Sequence, residues 1–145
     1  MPFCYYNGDM AAKFTPTSVI QKLIHKQKNE SMTGFIQLIH CVTPSYYHYH
    51  FGYADTFTVQ LSNNQEEGLF RITFFGKDAW EWSKKLNINM VITIDGGVIL
   101  YPEINKSSKK TPEVIFTENS KINIINKEFF KEPNEHGQNG FFWNL

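Results

Sequence analysis

Arg71, Thr73 and Phe75 alternate along LFRITFF, so in an extended segment they share one face while Ile72 and Phe74 share the other. A guanidinium, a hydroxyl and a ring in a row can pair with a phosphate, exchange a hydrogen bond and stack on a flat base. Upstream, TPSYYHYHFGY sets Tyr46, Tyr47, Tyr49, Phe51 and Tyr53 around His48 and His50. Such rings stack at low side-chain entropy cost, and tyrosine is equally common in protein interfaces. A third reading folds this segment back over the end of its own domain. Lys77 directly follows Phe75–Gly76, and the segment PEINKSSKKT at 102–111 offers Lys106, Lys109 and Lys110 to an anion. This chemistry binds; it does not catalyse.

The motifs that would carry catalysis are missing. The sequence holds no phosphate-cradling loop, no HExxH, no nucleophile elbow and no clustered carboxylates, so no enzyme is expected. His48, His50 and Asp55 lack further ligands at a telling spacing, so neither a metal nor another cofactor is expected. Cys4 and Cys41 have no CxxC pairing, and a reducing compartment is the default. Formal charge is zero, from 14 basic and 14 acidic residues. Neutrality argues against a binder driven mainly by phosphate contacts and against an anionic membrane surface. Stacking survives that argument, because each stacked base can contribute about 1–3 kcal/mol without net protein charge. No apolar run approaches the ~18 residues of a spanning helix, and no secretory leader is expected.

The elements that must hold these residues read as one β-rich domain in a chain of 145 residues. Residues 1–16 read as an irregular lead-in, and Thr17 as the cap of a short helix, SVIQKLIHKQK, with Val19, Ile20, Leu23 and Ile24 on its apolar stripe. Met32 to Val42 alternates with both faces apolar, which suits a strand bending through a small barrel and stopping at Pro44. Thr56 to Leu61 and Leu69 to Phe75 form a meander hairpin around the polar turn SNNQEEG. Lys77 to Leu86 puts Ala79, Trp82 and Leu86 on one side of a short helix. Trp80 and Trp82 read as core or plug rings, with stacking platforms as the alternative, and Lys84 and Lys85 as solvated. Asn89 to Leu100 is a fourth strand bent at Gly96–Gly97. A fifth, broken strand covers Glu113 to Phe116 and Lys121 to Ile125. The expected fold is all-β, a five-stranded OB-fold barrel with a short helix between strands three and four and another before strand one, with an SH3-like barrel or a small β-sandwich as the alternatives. The divisions are a lead-in at 1–31, the barrel at 32–126 and a tail at 127–145.

The pieces DTFTVQLSNN, GLFRITFFGKDAWEW, NMVITIDGGVILYPE and EVIFTENSKINII, spanning roughly residues 33–125, resemble the OB domains of the replication protein A large subunit and of related telomere and single-strand DNA-binding proteins. The resemblance lies in pattern and order. It implies a nuclear, genome-maintenance setting, single-stranded DNA as ligand with RNA as the alternative, further protein subunits and no membrane. It sets Arg71 where the family faces an arginine to the bound strand, and Phe75 where it stacks a ring. The loop at 102–111 departs from the family: it holds three lysines and no second stacking ring, with Tyr101 the nearest aromatic. OB domains without that ring often serve as assembly modules, so a protein-binding scaffold is the second expectation. The apolar terminus Phe141, Phe142 and Trp143 then reads as a partner-docking segment.

Overall fold

The computed structural model describes residues 4–7, 10–47, 52–101 and 111–129. In chain order the elements are β1 (Cys4–Asn7), β2 (Met10–Lys13), α1 (Thr17–Gln21), β3 (Ser31–Tyr47), β4 (Gly52–Ser62), β5 (Leu69–Phe75), α2 (Lys77–Ser83), β6 (Val91–Asp95), β7 (Val98–Leu100), β8 (Glu113–Ile115) and β9 (Lys121–Asn126). Among the described residues β1 and β2 pair with each other alone; the remaining strands form one sheet in the order β7-β8-β5-β4-β3-β6-β9.

That sheet returns to where it began. β6 and β7 are halves of one strand cut at Gly96–Gly97, both at positive φ (81° and 95°). β6 lies antiparallel to β3, while β7 lies antiparallel to β8, which is parallel to β5. The other edge of β7 meets the segment leading into β3: Ile99 N–H donates to Gln27 O (2.8 Å) and Lys26 N–H to Ile99 O (2.6 Å). The result is a closed barrel, which removes most of the exposed strand edge. The bend requires glycine, since a Cβ on Gly97 would lie 2.5 Å from the Ile115 carbonyl oxygen. Asn29, buried inside the bend, clamps it by donating to Ile94 O (3.2 Å) and Gly96 O (3.0 Å). The expected five strands are all present, with the fourth cut at this bend and the fifth by a turn at 116–120.

The interior fills by alternation. Phe57, Val59 and Leu61 of β4 meet Phe70, Ile72 and Phe74 of β5, with Ile36, Ile92, Ile94, Ile99 and Val114 from the other walls. Ala79 and Leu86 are buried in the same cluster, and Trp82 stacks near Phe74 (6.0 Å between centroids) and Phe116 (6.0 Å), so α2 plugs one end. Outside the barrel, Phe14, Phe35 and Phe129 make a second cluster, with Phe35 stacked on Phe129 at 4.6 Å. Packing against the barrel therefore runs from residue 14 to residue 129.

Four local expectations need correction. The supposedly irregular lead-in contains the β1–β2 hairpin, whose strands are joined by Gly8–Asp9, a hairpin-loop dipeptide by composition. Thr17 does not cap α1. It is the first helical residue, after Pro16, and its hydroxyl is used by Gln65 (3.0 Å) and Asn63 (3.0 Å) in the β4–β5 turn. The helix stops at Gln21 because residues 26–29 are drawn into the ladder beside β7; tertiary pairing overrides helical periodicity, and Val19 and Ile24 stay exposed. Pro44 does not end β3, which continues to Tyr47 opposite β4. There β3 has no neighbour on its other side among the described residues, so a residue without an N–H breaks no ladder. β3 and β4 thus extend past the barrel as a two-stranded arm.

No helix among the described residues is long and apolar enough to cross a membrane.

Candidate nucleic-acid interface

The outward side chains of β4 and β5 are read off the register. Gln60 lies opposite Arg71, Thr58 opposite Thr73 and Thr56 opposite Phe75. β8 continues the rows, with Glu113 beside Arg71 and Ile115 beside Thr73. On the far side, Gln60 Nε2 donates to Gln37 Oε1 of β3 (3.1 Å). A polar row, Gln37, Gln60, Arg71 and Glu113, therefore crosses four strands.

Arg71 is half-buried in this row, and its Nε is buried with no hydrogen-bond partner among the described residues. Leaving a donor of that kind dry and unpaired is costly, so an acceptor brought to it is rewarded. Its backbone N–H donates to Pro112 O (3.0 Å), just before β8. Thr73 is buried, and its hydroxyl donates to the buried Glu113 carboxylate. Having given its one proton to Glu113, Thr73 accepts from Thr58 (2.9 Å between the oxygens).

Phe75 requires a correction. It faces outward with Arg71, but at 7% exposure it is packed with Leu100 and Ile115, against Ala54 and Val98. A ring so enclosed offers no face to a base. Phe74 points into the core beside Phe57 (5.6 Å) and Phe116 (4.9 Å). Tyr101 is partly buried and tied to the barrel. It packs against the core, its hydroxyl donates to Leu23 O (2.9 Å), and its N–H donates to His25 Nδ1 (3.0 Å). Burial pushes its phenol above the ordinary tyrosine pKa.

Lys77 opens α2 and is exposed. Tyr47 ends β3 in register with Gly52. Tyr49 and Phe51, Lys106, Lys109 and Lys110, and Phe141, Phe142 and Trp143 lie outside the described residues. No group of three or more His, Cys, Asp or Glu that could hold a metal ion occurs among the described residues.

Sequence reasoning ranks Trp80 with Trp82 as a core or plug ring ahead of a stacking platform. Unlike Trp82, it is half-exposed, and its indole N–H donates to Asp55 Oδ2 at 2.8 Å. The helical stripe Ala79, Trp82, Leu86 already implied that Trp80 points elsewhere. Its partner, 25 positions away on β4, carried no local signal.

No protein-family model matches this chain, and no curated protein does. Among solved structures it is similar to a chain of a replication protein A heterotrimer bound to single-stranded DNA, with a TM-score of 0.54 and 16% identity over 72% of this chain. This chain is an OB-fold barrel. It spans 24% of that replication protein A chain, about a quarter of its length. The solution structure of an OB domain from Thermoplasma acidophilum is also similar, at 18% identity and a TM-score of 0.48, over 82% of this chain and 94% of that one.

Proposed function

We propose that this OB barrel binds single-stranded DNA across the outer face of β4 and β5, as one domain of a multi-subunit genome-maintenance assembly in the nucleus. The carrying observation is Arg71, a half-buried guanidinium whose Nε has no partner among the described residues, set in a row of amides. In the sequence, 48–51 carries His48, Tyr49, His50 and Phe51, and 102–110 carries Lys106, Lys109 and Lys110. Arg71 would take a phosphate or base edge, Gln60 and Gln37 would exchange hydrogen bonds with bases, and the loop rings would stack. Support from similarity is the shared fold with a heterotrimer bound to single-stranded DNA.

A second reading, an OB scaffold for a protein partner, draws on Val19 of α1 and Ile24 just after it, both exposed, and on β9, whose outer edge pairs with nothing among the described residues. Anisotropy titration of labelled oligo-dT and of an equally long duplex, at low and moderate salt, separates the two. DNA binding predicts single-strand preference, a shallow salt slope reflecting few phosphates, and a loss of about tenfold in Arg71→Ala. No binding at low salt overturns it in favour of the scaffold.

A further inference from the structure

Beyond the arm end of the β4–β5 face, the exposed rings gather on the opposite side of β4. Asp55 continues the inward alternation of Phe57, Val59 and Leu61, and by doing so reaches α2, where its carboxylate accepts the Trp80 indole N–H at 2.8 Å. Tyr53, two residues further along the same side of β4, is 80% exposed. On α2, Lys77, Trp80 and Lys84 stand at i, i+3 and i+7 and so share a helix side; both lysines are exposed and Trp80 is 50% exposed. Of the anionic groups nearby, Glu81 is paired with Lys85 at 3.1 Å, Asp55 accepts the indole bond while keeping its charge, and Asp78 is half-buried in the first turn of α2.

A tryptophan left half in water is an unusual expense, and here its edge is held in place by a carboxylate from another element. Holding a ring in one orientation before anything binds lowers the ordering cost of stacking on it. A cation about one turn to either side matches a base flanked by phosphates better than it matches an apolar peptide. Continuity supports the same ligand. Only Gly76 separates the end of β5 from Lys77, and its N–H donates to Asp55 O at 2.9 Å.

We infer that Trp80, flanked by Lys77 and Lys84 and steadied by Asp55, is a second stacking platform that takes the bases of a single strand leaving the β4–β5 face. This rests on the DNA-binding reading above and extends it: short strands are held by the face alone, and longer ones also by α2.

The test titrates the full chain with labelled oligo-dT of about 5 and about 15 nucleotides, lengths near the two ends of the OB site-size range. Wild type is compared with Trp80→Ala, Trp80→Phe and the double variant Lys77→Ala/Lys84→Ala, each checked for an unchanged thermal melt. The platform predicts that Trp80→Ala weakens the longer strand about tenfold and leaves the shorter one alone. Trp80→Phe recovers most of that loss, and the lysine pair reduces both affinity and salt slope for the longer strand only. Equal binding of both lengths by wild type and all variants overturns the platform while leaving the Arg71 face standing. Failure of wild type to bind either length overturns both.

Discussion

The two ends of one sheet face differ sharply in this barrel. At the Gln60–Arg71 end the outward side chains are polar, half-buried and, for Arg71, incompletely satisfied. Four residues along β5, Phe75 points the same way yet is enclosed with Leu100 and Ile115. Identical alternation thus yields a polar, half-buried row at one end and a small outer core at the other. Period-two patterning says which way a side chain points; what lies over it is decided by residues far away in sequence.

The sharpest way to break this contrast is to truncate both ends. Phe75→Ala is expected to cost about 3–5 kcal/mol in denaturant unfolding, as for a buried phenylalanine, while Gln60→Ala stays within about 0.5 kcal/mol. Equal costs would mean the two ends are alike. Glu113→Ala sits between them. It strips the buried Thr73 hydroxyl of its acceptor and is expected to cost about 1–3 kcal/mol by the same measurement. The smallest effect concerns Tyr101. Its folded pKa is raised by burial, so the folded state holds the phenolic proton harder than the unfolded chain does. The stability this brings is complete below the ordinary tyrosine range and declines as pH rises through it toward the folded pKa. Thermal melts in alkaline buffers should show that decline in wild type and a flatter profile in Tyr101→Phe.

Much of the barrel was legible because its signals are local. Leu69–Phe75 sets Phe70, Ile72 and Phe74 at every second position and is bounded by Gly68 and Gly76. Gly96–Gly97 announces the bend, and Ala79, Trp82 and Leu86 mark the buried stripe of the plug. The rest depended on distant partners. α1 is short because residues 26–29 pair with residues 97–99, and β3 runs through Pro44 because the arm leaves that edge of the strand without a neighbour. The site divided along the same line. Arg71 could be placed on a face from its neighbours alone. The enclosure of Phe75, the tether of Tyr101 to Leu23 across 78 positions and the bond from Trp80 to Asp55 could not.

The way the barrel closes also constrains how quickly it can form. β3, β4 and β5 can zip as neighbours in the chain, but the seam between β5 and β8 joins Arg71–Thr73 to Glu113–Ile115 in parallel, and β7 must find residues 26–29. Each of these joins costs loop-closure entropy before the buried side chains repay it. Folding should therefore run on the order of milliseconds to seconds, the range of non-local β topologies, rather than the microseconds of a helical bundle. Until the seam closes, β5 carries an open apolar edge, and for that interval the nascent domain is most exposed to pairing with another chain.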